Sequence, residues 1–127
     1  MRLLLDTHAL MWWLEDNPRL GPRARQRLAD PDNEVIASMV SLWEITIKWR
    51  IGRMHQSGSA FAALLDEQGL APLTVERAHI LMLEQLPLLH GDPFDHLLLA
   101  QASAEDATIV TNDRHMTAYG VPCIGVS

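Results

Sequence analysis

Asp6, Glu44, Asp95 and Asp113 are acids that fall at element boundaries, and if they converge they make a site for a divalent cation. Carboxylates brought within a few ångströms of one another cannot all stay ionised uncompensated, because like charges raise one another's pKa. A bound cation removes the conflict. An all-oxygen set with no cysteine and no paired histidine selects Mg2+ or Mn2+ over zinc. Such a site activates a water and neutralises charge developing on a phosphate, so the chemistry it would do is metal-dependent phosphodiester hydrolysis. Thr7, Thr111 and Asn112 are polar neighbours of these acids and could orient them.

Each acid also has a local explanation to weigh. Ser41-Leu42-Trp43-Glu44 has the form of a capping box, in which Glu44 would only accept the backbone N–H of Ser41. Asp92-Pro93-Phe94-Asp95 has a similar form, with Asp92 as the cap and Asp95 in the favourable first helical turn. Asp113 could cap a short helix at Arg114. Asp6 is the hardest to explain away, since it directly follows the apolar run Leu3-Leu4-Leu5 and has no capping pattern to excuse it.

Positioning falls to elements that alternate along the chain. Leu3 to Leu5 reads as a buried strand, followed by a helix from His8 to about Glu15 that Asn17-Pro18 stops. Pro22 opens a second short helix, and Val35-Ile36-Ala37 is a second strand. Helical spacing is clearest over Ser41 to Arg50. A helix from about Gly58 to Gln68 comes next, then an edge strand at Leu70 to Thr74, where Pro72 cannot donate to a ladder. Thr74 or Val75 begins another helix, to about Gln85. A strongly apolar helix runs from Pro93 or Phe94 to Glu105. Ala107 to Thr111 is a strand, Asp113 to Tyr119 a short helix and Val121 to Val126 a last strand. Strands alternating with helices imply a mostly parallel sheet covered on both faces, with ligands at the carboxyl ends of the strands.

Other chemistries are poorly served. The six histidines, His8, His55, His79, His90, His96 and His115, lack metalloprotease spacing and read as surface or loop residues. There is no phosphate-loop or dinucleotide glycine pattern, and Ser38 and Ser41 have no nucleophile-elbow context. Lys48, Arg50 and Arg53 either contact phosphates or are solvated charges flanking Trp49. Trp12, Trp13, Trp43 and Trp49 read as core, with room for one to be buried against a partner.

At 127 residues, 48% hydrophobic and 20% charged, the chain suits one globular domain. The lone Cys123 excludes an internal disulfide and a cysteine-based zinc cluster, which favours a reducing cytoplasm. Asp6 interrupts the apolar start too early for a secretory signal, and no apolar run approaches membrane-spanning length. The net charge of −6 argues by itself against nucleic acid. That objection weakens if several acids share one cation site.

Leu3-Leu4-Leu5-Asp6-Thr7-His8-Ala9-Leu10 with Trp12-Trp13, Ser41-Leu42-Trp43-Glu44-Ile45, Asp92-Pro93-Phe94-Asp95 with Leu98-Leu99-Ala100-Gln101-Ala102, and Val110-Thr111-Asn112-Asp113 together resemble the PIN-domain family. The closest subgroup is the VapC-type ribonuclease toxins of toxin–antitoxin modules. The resemblance spans the whole chain in order and implies a single PIN domain over residues 1–127: an α/β, PIN-like three-layer α/β/α fold with a mostly parallel central sheet. It implies that Asp6 and Asp95 are direct metal ligands, with Glu44 and Asp113 binding directly or through water. It also implies a homodimer, an RNA substrate and a cognate antitoxin docking an extended segment and a helix in an apolar groove. The tryptophan-rich early helix is the expected part of that groove. Two departures, His96 where many relatives carry arginine and Asn112 where many carry serine, leave the acids intact.

The expectation is therefore a cytoplasmic Mg2+- or Mn2+-dependent endoribonuclease toxin. Two alternatives stand beside it. One is a noncatalytic RNA- or protein-binding module of the same fold. The other is a receiver-like phospho-acceptor, for which Asp6 should be joined by a second acid and a lysine should lie near the last strand; Thr7 follows Asp6, and the only lysine is Lys48.

Overall fold

Leu3, Leu4 and Leu5 are almost completely buried, and they divide between two hydrophobic cores because successive strand residues point to opposite faces. Leu3 and Leu5 join one cluster, Leu4 the other. The computed structural model describes all residues, Met1–Ser127, and their order is β1 (Arg2–Leu5), α1 (Thr7–Leu14), α2 (Pro22–Ala29), β2 (Glu34–Ile36), α3 (Met39–Arg50), α4 (Gly58–Glu67), α5 (Arg77–Gln85), α6 (Pro93–Ala104), β3 (Thr108–Val110), α7 (Arg114–Thr117) and β4 (Cys123–Ile124).

The strands form one sheet in the order β2-β1-β3-β4, every pairing parallel. Leu5 is in register with Val110, so β1 and β3 end together at the same edge. The first core packs Leu10 and Leu14 of α1, Leu28 of α2, Ile45 of α3 and Phe61 and Leu65 of α4 against Leu3, Leu5 and Val110. The second packs Leu97, Leu98 and Leu99 of α6 with Met116 and Tyr119 against Leu4, Ile36 and Ile109. This is a three-layer α/β/α fold. Gly58 lets α4 start hard against α3, since a Cβ there would lie 2.0 Å from Thr46 Oγ1.

Several boundaries differ from expectation for identifiable reasons. The expected strand at Leu70–Thr74 is only a single parallel bridge from Leu73 to Ser38, its ladder ending beside Pro72, which has no N–H to give. Instead of starting at Thr74 or Val75, α5 begins at Arg77, because the Glu76 N–H donates to His79 Nδ1 at 2.9 Å and fixes the start there. The last strand shrinks to Cys123–Ile124 and the last helix to Arg114–Thr117. The four tryptophans are not core. Trp43 and Trp49 are 50% and 47% exposed, while Trp12 and Trp13 only edge the first cluster. For Trp43 and Trp49 the cause is that α3 turns Val40, Ser41, Glu44 and Ile45 inward. Nor are all the histidines superficial: His79 is fully buried, its Nε2 2.9 Å from Glu105 Oε2.

Candidate metal-binding active site

Parallel strands deliver side chains to a common edge, and the polar residues that follow β1 and β3 meet there. Asp6, the residue after Leu5, is 6% exposed. Its Oδ1 accepts the Ala9 N–H at 2.8 Å, making Asp6 the N-cap of α1, and its Oδ2 accepts the Thr111 hydroxyl at 2.6 Å. Asp6 therefore does cap a helix, contrary to the expectation from sequence, because β1 ends at Leu5 and α1 begins at Thr7 with Asp6 the single residue between them. Thr111 Oγ1 in turn accepts the Asp113 N–H at 3.0 Å, so one threonine couples the two strand ends. Burial holds the Asp6 carboxyl above its usual pKa, opposed by the Thr111 and Ala9 hydrogen bonds.

Glu44 arrives from α3, which starts at Met39 with Ser38 as its cap, the Ser38 Oγ accepting the Val40 N–H at 3.0 Å. That places Ser41 and Glu44 inside the helix, and the capping-box explanation of Glu44 fails. Glu44 is 4% exposed, with its Oε1 2.7 Å from Thr7 Oγ1 and its Oε2 2.6 Å from Lys48 Nζ. Lys48 lies one turn on, at the i,i+4 spacing that brings an acid and a base together on a helix. A purely phosphate-facing Lys48 is therefore not what the fold shows.

Asp95 sits in the first turn of α6, where Asp92 Oδ1 accepts the N–H groups of Phe94 (2.9 Å) and Asp95 (3.2 Å). A helix start favours a carboxylate, yet Asp95 is pushed up to about 7, first by burial and then by the charges of Asp92, Glu44, Asp113 and Asp6. Its side chain accepts no hydrogen bond; the nearest base is His90, whose Nε2 lies 3.5 Å from Oδ2. Asp113 is the most open of the four, caps α7 through the His115 N–H (2.8 Å) and has His115 Nδ1 3.2 Å from Oδ1.

The four acids lie within electrostatic reach of one another. They do not form a closed cage: no three His, Cys, Asp or Glu side chains stand ready to hold an ion. The donor set nonetheless fits a hard cation, because it is all oxygen and burial, with the surrounding acids, disfavours the charged form of Asp95 when no cation is bound. Asp6 and Asp113 open onto a cleft of about 330 Å³ also lined by His8, Trp12, Arg19 and Asn112. Asn112 is thus at the rim, whereas Thr7 and Thr111 are buried behind the acids. A wider cleft of about 610 Å³ adjoins it, sharing His8, Trp12 and Arg19 and adding Lys48 and Arg53. Sequence reasoning did not single out His90, Tyr119 or Arg19. His90 stands two residues before the Asp92 cap, but nothing local ties it to Tyr119.

Comparison with known proteins agrees with this architecture. The family model described as PIN domain matches residues 3–122. None of the curated proteins searched matches. Among solved structures, VapBC2 from Rickettsia felis bound to a DNA fragment from its promoter superposes with a TM-score of 0.74 at 19% identity, covering 98% of each chain. DNA-bound VapBC from Salmonella typhimurium gives 0.74 at 17% identity, covering 100% of this chain and 99% of that one. VapBC-5 from Mycobacterium tuberculosis, described as a member of the VapBC family of toxin–antitoxin systems, gives 0.62 at 17%, covering 98% and 96%.

Proposed function

The chain belongs to the PIN-domain family, and from that premise we propose that it is a metal-dependent endoribonuclease, the VapC-type toxin of a toxin–antitoxin pair. The observation that carries the reading is Asp95, a carboxyl raised to about 7 by burial and by the charges of Asp92, Glu44, Asp113 and Asp6. A fold that keeps such repulsion unrelieved loses stability unless a ligand repays it. Mg2+ or Mn2+ is the ligand this donor set suits, and when bound it would supply water activation and charge neutralisation at the scissile phosphate. Asp6 and Asp95 would be its direct ligands, with Glu44 and Asp113 completing the set.

The chain's own groups have assignable tasks. Thr111 holds Asp6 by one oxygen and ties the Asp113 turn to it. Thr7 does the same for Glu44. Lys48 pairs with the second Glu44 oxygen and fixes the carboxylate from its other side. Arg19 and Arg53 line the adjoining clefts and would meet flanking phosphates of an RNA strand. The solved VapBC structures support an antitoxin as partner. A homodimer and a cytoplasmic location belong to the same proposal; no helix is long and apolar enough to cross a membrane.

The test is cleavage of RNA by the purified chain. Products should form with Mn2+ or Mg2+, vanish with chelator and be absent for Asp6→Asn. RNA that is bound but never cut at any metal concentration would establish the noncatalytic module instead.

A further inference from the structure

Behind Asp95 three side chains close a hydrogen-bonded triangle. Tyr119 Oη lies 3.1 Å from His90 Nδ1 and 2.9 Å from His96 Nε2, and those two nitrogens are 2.9 Å apart. The Tyr119 oxygen also accepts the backbone N–H groups of Leu89 (3.2 Å) and His90 (3.3 Å). Two acceptances use the lone pairs of a phenolic oxygen, so its hydrogen must go to one of the imidazoles. The His90 ring is therefore fixed from its Nδ1 side and from its own backbone. Tyr119 is itself anchored in the second core.

The far side of the same ring is where the anomaly lies. His90 Nε2 is buried and is the one buried side-chain nitrogen or oxygen in the protein with no hydrogen-bond partner. Buried polar atoms without partners are rare and ask for a reason. The acid facing it is Asp95, whose Oδ2 is 3.5 Å away, slightly too far for a good hydrogen bond. Asp95 for its part is the acid of the four that accepts no hydrogen bond. A buried imidazole nitrogen without a partner and a half-buried carboxylate without a donor, facing each other across 3.5 Å, are complementary halves of one hydrogen bond. When Asp95 carries its charge, the His90 tautomer with hydrogen on Nε2 is the favoured one, and Nδ1 accepts from Tyr119 or His96.

We infer that His90, locked by Tyr119 and His96, is a positioning residue for Asp95: its Nε2–H takes one carboxylate oxygen and leaves the other turned to the metal. The inference rests on the acidic site being a cation site, as proposed above. Groups that orient a ligating side chain typically change metal affinity 10- to 100-fold when removed.

The test is Mn2+ affinity of the full chain, measured by titration calorimetry or by the free-Mn2+ electron paramagnetic resonance signal, with thermal melts as a check on folding. Wild type should bind Mn2+ and Asp95→Asn should lose it; if Asp95→Asn binds as tightly as wild type, the acidic-site reading fails and this inference with it. Given that loss, His90→Leu should weaken binding about 10- to 100-fold. His90→Gln, which returns an N–H near the Nε2 position, should recover most of it. Tyr119→Phe, which keeps the packing and removes only the hydroxyl, should weaken Mn2+ binding by a smaller factor. His90→Leu with unchanged affinity, or His90→Gln no better than His90→Leu, overturns the inference. Should His90→Leu fail to fold, Tyr119→Phe with wild-type affinity overturns it.

Discussion

The two sides of the acidic cluster are built on different principles. On one side, Asp6 and Glu44 are almost wholly buried but each carboxylate is satisfied: Thr111 and Ala9 serve Asp6, Thr7 and Lys48 serve Glu44. On the other, Asp95 is less buried and receives no hydrogen bond, and burial with the charges of Asp92, Glu44, Asp113 and Asp6 pushes it up to about 7. Burial raises the carboxyls of Asp6 and Asp95 alike. What separates them is relief, because the Thr111 and Ala9 hydrogen bonds favour the charged form of Asp6 and no hydrogen bond does so for Asp95. The satisfied acids are positioned before any ligand arrives, and the unsatisfied one is left to respond to it.

The sharpest way to break this comparison is to neutralise the satisfied side. Asp6→Asn should lower RNA cleavage by roughly a thousandfold or more, the several kcal/mol a metal centre contributes, with little loss of thermal stability, because the amide oxygen can still accept the Ala9 N–H. Cleavage assays beside thermal melts would show it.

Removing a donor from that side should convert it into the other kind. Thr111→Val strips Asp6 Oδ2 of its hydroxyl and the Asp113 N–H of its acceptor. The expected cost is about 1–3 kcal/mol of stability for groups left unpaired, read by denaturant unfolding at neutral pH. The Asp6 carboxyl should also titrate at a still higher pH, visible by carboxyl-carbon NMR.

The unsatisfied side should announce itself through pH. Asp95 must shed its proton to ligate a cation, and its pKa is about 7. Mn2+ affinity should therefore rise about tenfold per pH unit below 7, one proton being released per ion, and level off above it. Flat affinity between pH 6 and 8 would show that Asp95 is not a ligand.

The smallest effect concerns the metal-free chain. The folded Asp95 pKa lies above the unfolded value of about 3.9, so between roughly pH 4 and 7 the folded state holds a proton that the unfolded state has lost. Stability must then fall as pH rises through that window. Asp95→Asn removes this contribution, leaving that of Asp6, and should raise the melting temperature by a few degrees in chelator above pH 7. A melting curve whose pH slope is the same in both proteins would contradict this origin.

Much of this arrangement is written in local pattern. The apolar runs Leu3–Leu5 and Ile109–Val110 are strands because they are β-compatible and buried, and Asp6 follows the first at a place where ligands gather. The Leu97–Ala102 stretch is apolar around most of its circumference and is accordingly the most deeply buried helix segment. Caps were less legible. Ser38 and Ser41 are equally good N-cap types, and only the Leu73 bridge and the Gln101 contact at Ser38 choose between them. Asp6 caps a helix although no local pattern marks it, and Glu44 does not although Ser41-Leu42-Trp43-Glu44 has the form of a capping box.

The tryptophans and histidines show what local pattern lacks. Whether Trp43 or Glu44 faces inward depends on how α3 rolls against α1, α4 and α6, and no residue within α3 reports that. The His90–Tyr119 contact joins residues 29 apart, across α6, β3 and α7. Propensity and periodicity act over a few residues, so the chain by itself determined its strands, its helices and the presence of four well-placed acids. The sheet order β2-β1-β3-β4 is a matter of long-range packing. Such packing decided that those acids share one edge, that the hydroxyls of Thr111 and Thr7 reach two of them, and that Asp95 is left facing an unpaired histidine, whereas the Lys48–Glu44 pair is one helical turn long and local.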